Sequence, residues 1–271
     1  MNDKNILINN VSPLRYPGGK TRACKILDKI INKHFDMEKI KTILSPFFGG
    51  GSFEYYLQNN YKVELIVNDK FKPLYSFWNQ CKINKLKLID LIKNNKNIDK
   101  EKFKTYREDI LDLDDELKQG AYFFIINRCS FSGATLSGGF SLESSKKRFT
   151  DSSIEKINKL NLSKTEIYNL DFKEFIRLKC KNIDEESIIF LDPPYYLEDK
   201  SNLYGNNGDM HENFDHEKLY KLIKKKKNWL MTYNNCKYIR DLYKDFIIIN
   251  AEWSYGMNKS KESSEIVIIS K

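Results

Sequence analysis

Ile188-Ile189-Phe190-Leu191-Asp192-Pro193-Pro194-Tyr195 decides how the rest of the chain is read. An apolar run that stops abruptly at Asp-Pro-Pro is the pattern of a buried strand whose C-terminal end opens into a rigid loop. Both prolines fix φ and neither has an N–H, so the backbone here offers carbonyl acceptors only. Asp192 adds a further acceptor and Tyr195 a flat ring. Such a set suits a planar ring bearing an exocyclic NH₂. The amine would donate to the carboxylate and a proline carbonyl while the ring stacks on the tyrosine. A strand-terminating Asp followed by a proline stop is the plainer alternative.

Working outward, strands and helices alternate. Residues 20–33 place Ala23, Ile26, Leu27, Ile30 and Ile31 on one helical face. Ile40–Leu44 and Val63–Val67 read as strands, with a helix over Ser52–Asn60 between them. Thr165–Tyr168, Ile188–Leu191, Trp229–Thr232, Phe246–Asn250 and Ile266–Ile269 read as later strands. Helices over Phe172–Leu178 and His216–Lys226 fall among them. This alternation predicts an α/β fold with a doubly wound, mostly parallel sheet covered by helices on both faces. Residues 75–160 break the rhythm. They are helical and highly charged from Lys82 to Gly120, then run through Tyr122–Arg128 into the Ser/Gly-rich Ser130–Ser145 and the basic Lys146-Lys147-Arg148. The expected organisation is a discontinuous domain, 1–74 with 161–271, interrupted by a mainly helical insert at 75–160 that carries an extended loop or hairpin.

Six prolines and twelve glycines are few for 271 residues, and they cluster. Arg15-Tyr16-Pro17-Gly18-Gly19-Lys20, Ser45-Pro46-Phe47-Phe48-Gly49-Gly50-Gly51-Ser52 and the Asp192 loop concentrate special backbone geometry where a ligand could approach closely. A strand, a Gly-rich turn and a helix around residue 50 form a nucleotide-binding arrangement, but Glu54 occupies the place where the dinucleotide fingerprint needs a third small residue. Asp69, closing the next strand, suits hydrogen bonds to ribose hydroxyls. Gly19-Lys20-Thr21 resembles the end of a phosphate-binding loop, but Leu14 stands where that motif needs its first glycine.

A net charge of +9 suggests a polyanionic partner, although the abundance of Lys, Asn and Ile is also what AT-rich coding produces. Lys224–Lys227 reads as a solvated helix end. The five cysteines, Cys24, Cys81, Cys129, Cys180 and Cys236, are scattered, odd in number and without a Cys-x-x-Cys pair, as expected of reduced thiols. His211 and His216 do not share a helical face and have no neighbouring cysteine, so no metal site is expected. No apolar run is long enough to span a membrane, and Met1-Asn2-Asp3-Lys4-Asn5 does not open a signal peptide. An intracellular protein, neither secreted nor membrane-borne, is expected.

Taken together, Arg-Tyr-Pro-Gly-Gly-Lys, Pro-Phe-x-Gly-Gly-Gly-Ser, a strand-end Asp and a late Asp-Pro-Pro-Tyr resemble the Dam-type DNA adenine-N6 methyltransferases of alpha motif order, over about residues 12–270. The resemblance implies a Rossmann-like S-adenosylmethionine-dependent catalytic domain and double-stranded DNA as substrate. It implies a target-recognition role for residues 75–160. Tyr16, Lys20, Phe47, Gly49, Gly51 and Asp69 would contact the cofactor, with Asp192 touching both cofactor and target amine. Asp192, Pro193, Pro194 and Tyr195 would form the catalytic loop. Two departures stand out: Ser45 replaces the acidic residue that precedes Pro-Phe in the family, and Tyr16 replaces a frequent Trp. A restriction endonuclease partner is left open.

The N6 lone pair of adenine is conjugated into its ring. Acceptors at Asp192 and the Pro193 carbonyl would draw that nitrogen toward tetrahedral geometry, so rate would come from positioning and electrostatics. The base must leave the duplex to reach the loop. Within the insert, Arg128, Ser132, Lys146, Lys147 and Arg148 are the expected DNA contacts, with a structural ion pair as the alternative for Arg128 and core packing expected for Phe123–Ile126. Cytosine-N4 methylation, an RNA or protein amino-group methyltransferase, and a non-catalytic DNA-binding module are the competing functions. Cytosine-C5 methylation is excluded because no cysteine follows a proline.

Overall fold

The computed structural model describes residues 11–16, 18–196, 214–254 and 262–271; Pro17, His211 and the N-terminal Met1–Asn5 lie outside them. Seven strands form one sheet: β1 (Thr42–Ser45), β2 (Glu64–Asn68), β3 (Thr165–Tyr168), β4 (Ser187–Leu191), β5 (Trp229–Asn234), β6 (Ile247–Ser254) and β7 (Glu262–Ile269). Their order across the sheet is β3-β2-β1-β4-β5-β7-β6. All neighbours run parallel except that β7 lies antiparallel between β5 and β6. The expected mostly parallel sheet is therefore present, with β3 at its expected bounds and no strand boundary displaced by more than four residues.

Alternate strand residues point to opposite faces, and the packing follows that period. Ile188, Phe190 and Leu230 join one hydrophobic cluster, whereas Ile189, Leu191 and Met231 join a second. A sheet buried on both sides needs near-continuous apolar strands, which is why β4 reads Ile-Ile-Phe-Leu. Helices α1 (Cys24–His34), α2 (Ser52–Tyr61) and α3 (Lys72–Ile83) cover the first face, together with α4 (Lys85–Asn94), α5 (Lys100–Asp109) and α6 (Glu116–Cys129). The short α7 (Leu142–Lys147) buries only Ser144, and α8 (Asp151–Asn158) returns to the same cluster through Ile154 and Ile157. The second face is covered by α9 (Phe172–Leu178), α10 (His216–Ile223) and α11 (Lys237–Leu242).

The helices between 75 and 160 pack into the same cluster as the first sheet face. In α6 the whole run from Phe123 to Cys129 is buried, and Phe124 stacks on Phe77 of α3 with centroids 5.6 Å apart. Gly120 permits that approach, since a Cβ there would stand 3.0 Å from the Phe77 Cα. Beyond α6, where an extended loop or hairpin is expected, the chain forms two short 3-10 turns, Phe131–Gly133 and Thr135–Ser137, closed by a single antiparallel bridge between Ser130 and Phe140. Positive φ at Ser132, Gly133 and Thr135 curls the chain, and the Ser130 hydroxyl accepts the Thr135 N–H at 3.0 Å. Serine and threonine side chains thus satisfy backbone groups that a ladder would otherwise pair.

Candidate active site at the carboxyl edge of the sheet

Strand order reverses between β1 and β4, and in open α/β sheets ligands bind outside the strand ends at such a switch point. The turn after β1 and the Asp192 loop after β4 meet there. Gly49 and Gly51 hold φ of +50° and +64°, values that any residue with a Cβ adopts only at a cost. Added side-chain carbons would also collide: 2.9 Å from the Tyr16 ring at Gly49, 2.6 Å from the Phe48 ring at Gly51. Tyr16 therefore lies directly on the glycine turn. The Trp78 indole donates to the Gly49 carbonyl at 3.0 Å and fixes the turn from below.

Asp69 accepts the Gly49 N–H and the Phe71 N–H, each at 2.9 Å. Burial pushes its carboxyl up to about 6, against the pull of those two N–H groups. Buried Asn68 joins three loops at this edge. Its amide donates to the carbonyls of Pro46 (3.1 Å) and Leu170 (3.0 Å) and accepts the Leu170 N–H at 2.8 Å. Phe47 packs against Phe172 and Phe214 at 5.7 and 5.5 Å, on the second face of the sheet.

On the β4 side, Pro193 is buried and Asp192 half-buried. Two donors hold the Asp192 carboxylate: the Lys20 ammonium at 2.8 Å and the Thr232 hydroxyl of β5 at 2.6 Å. Lys20 is 4% exposed, also donates to the Gly18 carbonyl at 3.0 Å, and lies 5.1 Å from the Tyr195 ring centroid. The N-terminal motif thus reaches the Asp192 loop directly. Tyr196 stacks on Tyr238 with centroids 4.4 Å apart.

Where the resemblance leads one to expect an acid, Ser45 donates to Glu54 of α2 at 2.7 Å, both side chains buried. The helix delivers to the end of β1 the carboxylate that the strand lacks. Burial pushes Glu54 up to about 8.

The insert approaches this edge through the N-terminal motif. Asn127, fully buried, accepts the Arg15 N–H at 2.9 Å and donates to the Arg15 carbonyl at 2.8 Å. Arg128 is 9% exposed, with Nε donating to the Arg148 carbonyl at 2.7 Å and Nη1 to the Pro13 carbonyl at 3.2 Å. Its guanidinium is therefore occupied by backbone rather than presented to solvent, and it forms no ion pair among the described residues. Burial, with Arg15 and Arg148 nearby, holds Arg128 down at about 10; burial and Arg148 likewise lower Arg15. Ser132, Lys146, Lys147 and Arg148 are exposed, with Lys147 bridging Glu143 one turn back at 3.0 Å. Phe131, at the tip of the first 3-10 turn, is 69% exposed.

Asn68, Thr232, Arg15 and Phe131 were not singled out from the sequence. The available signal for the first two was a polar side chain at the end of an apolar strand. For Phe131 it was an aromatic inside a Ser/Gly-rich stretch.

A sheet of this order, with its ligand edge at the β1/β4 switch, is consistent with a Rossmann-like S-adenosylmethionine-dependent methyltransferase. The model of the family described as D12 class N6 adenine-specific DNA methyltransferase matches residues 16–257. The chain belongs to that family, whose reaction is methylation of adenine N6 in DNA. It is 25% identical over 260 residues to the Type II methyltransferase M.MjaIII of Methanocaldococcus jannaschii, covering 87% of this chain and 88% of that protein. It is 24% identical over 276 residues to the Type II methyltransferase M1.LlaDCHI of Lactococcus lactis subsp. cremoris, covering 94% and 92%. No helix of the described residues is long and apolar enough to cross a membrane, and no group of three or more metal-ligating side chains gathers among them.

Proposed function

We propose that this protein is a site-specific adenine-N6 methyltransferase of Dam-type organisation that acts on duplex DNA with S-adenosylmethionine as donor. The observation that carries the reading is Asp192, held by Lys20 and Thr232 at the mouth of the β1/β4 switch, beside a glycine turn roofed by Tyr16. The donor set fits that cofactor. Asp69 suits its ribose hydroxyls, the Gly49–Gly51 turn and Lys20 suit its methionine end, and the Tyr16 and Phe47 rings supply flat apolar surface. When bound, S-adenosylmethionine supplies an electrophilic methyl on a sulfonium.

Asp192 and the Pro193 carbonyl accept the two N–H bonds of the target amine, and Tyr195 stacks on the base. Together they would orient the amine toward the methyl that a bound donor supplies, so positioning and fixed electrostatics would supply the acceleration. A base inside a duplex cannot reach this loop and is flipped out.

Residues 75–160 form the recognition region. Arg15 and Arg148 with Lys146 and Lys147 offer cations to phosphates, Ser132 offers a hydroxyl, and Arg128 acts by fixing the Arg148 backbone. Phe131, exposed at the tip of its turn, would serve as an apolar wedge between base pairs. The relatives' names as Type II methyltransferases support a restriction endonuclease of the same target sequence as partner.

The test is methylation of plasmid DNA by purified protein with S-adenosylmethionine, followed by nucleoside analysis and long-read sequencing. The reading expects N6-methyladenine confined to one short sequence. N4-methylcytosine, or adenine methylation without sequence preference, would overturn it.

A further inference from the structure

Strand β7 carries a carboxylate inside the sheet. Glu265 is 2% exposed and precedes the wholly apolar run Ile266–Ile269. A buried carboxylate is costly unless hydrogen-bonded, and Glu265 accepts the Tyr195 hydroxyl at 2.5 Å. Its cross-strand neighbour on β5 is Asn234, whose amide donates to the Tyr196 carbonyl at 2.7 Å. One cross-strand pair therefore fastens both tyrosines that follow Asp192-Pro193-Pro194, the first by its side chain and the second by its backbone. The Tyr195 ring also packs against Tyr233 of β5 with centroids 5.9 Å apart. The Tyr195 ring is thus held at its hydroxyl by Glu265, and the residue that follows it is held at its carbonyl by Asn234.

We infer that Glu265 is a positioning residue for the methyl transfer, acting through the Tyr195 hydroxyl to fix the plane on which the flipped adenine stacks, with Asn234 holding the adjoining backbone. Glu265 is buried and would act only through the Tyr195 hydroxyl. Its effect belongs to the step in which the base is seated, and cofactor binding at the β1 side of the edge is independent of it. The inference rests on the reading of Tyr195 as the stacking surface.

The experiment measures single-turnover methyl transfer, S-adenosylmethionine affinity and the fluorescence of 2-aminopurine at the target position for Tyr195→Ala, Tyr195→Phe, Glu265→Ala, Glu265→Gln and the Tyr195→Phe/Glu265→Ala pair. Tyr195→Phe keeps the ring and removes only the hydroxyl. It is expected to slow transfer about tenfold, the equivalent of one lost hydrogen bond, and to alter the 2-aminopurine signal while cofactor affinity stays unchanged. Glu265→Ala should match it, Glu265→Gln should restore most of the rate through its amide oxygen, and the double variant should be no slower than either single one. If Glu265→Ala does not fold, Tyr195→Phe and Glu265→Gln still decide the matter. Wild-type transfer and fluorescence in Tyr195→Phe, or additive losses in the pair, would overturn the inference. Wild-type transfer in Tyr195→Ala would instead overturn the reading of Tyr195 on which it rests.

Discussion

The two halves of the candidate site treat charge in opposite ways. At the β1/β4 edge Lys20 lies against Asp192, and Asp69 is met by two backbone N–H groups. Around the insert, Arg15, Arg128 and Arg148 crowd one another, and no carboxylate pairs with them among the described residues. The first region is internally neutralised and stiff, as a site must be to hold reacting atoms within a fraction of an ångström. In the second, like charges lie close together, and the proposed function has an approaching phosphate backbone relieve them. The proposed function gives chemistry and DNA attachment to different residues, although Asn127 binds the two regions together through the Arg15 backbone.

Substitutions can pull that comparison apart. The largest effect is expected from Asp192→Ala, which removes the principal acceptor of the target amine. Single-turnover transfer should drop by roughly 10²-fold or more, with a native circular dichroism spectrum. Gly51→Ala comes next: its positive φ and the 2.6 Å approach to Phe48 leave no place for a Cβ, and left-handed geometry alone costs about 1–2 kcal/mol. Calorimetry should find S-adenosylmethionine affinity lowered by about tenfold, with the melting temperature also reduced. On the other side of the comparison, Arg148→Ala should weaken duplex binding on all sequences and reduce the slope of log affinity against log salt by about 1.

Much of the catalytic edge was legible because its chemistry is local in sequence. Glycines with positive φ, prolines and strand-end aspartates are punctuation that one segment displays by itself, and apolar runs such as Ile188–Leu191 mark strands without help from elsewhere. The residues that hold those segments were not legible for the same reason reversed. Thr232 lies 40 positions from Asp192, and Glu265 lies 70 from Tyr195, so only the sheet order brings each pair together. Glu54 is a further case. In the sequence it counts only against the dinucleotide fingerprint, yet in the fold it supplies the carboxyl group missing at Ser45. The insert misled in a different way. Gly and Ser at 130–141 fit a hairpin turn, but positive φ at consecutive positions and side-chain bonds to backbone made 3-10 turns instead. Arg128 reads equally as a DNA contact or as structure in the sequence, and nothing local announces its bonds to the Arg148 and Pro13 carbonyls.

Glu54 sharpens the contrast at a smaller scale. Its carboxyl, ordinarily near 4.5, is pushed up to about 8. Between those values the folded chain keeps a proton that the unfolded chain has released, so stability falls as pH rises across that window and levels off above it. Glu54→Gln removes the dependence. Its melting temperature should rise relative to the unsubstituted protein from pH 5 to 8, with no further gain beyond. The smallest effect is expected at Lys147, whose exposed pairing with Glu143 already compensates its charge. Lys147→Ala should change duplex affinity less than Lys146→Ala at every salt concentration.

The division between chemistry and DNA attachment is tested most directly by the salt dependence of duplex affinity in the Asp192→Ala protein, measured by fluorescence anisotropy with S-adenosylmethionine present. If Asp192 serves the methyl transfer and the arginines around the insert serve the phosphates, affinity and slope will match those of the unsubstituted protein. A flattened slope would mean that Asp192 and Lys20 take part in holding the DNA backbone, and the two regions could not then be assigned separate work.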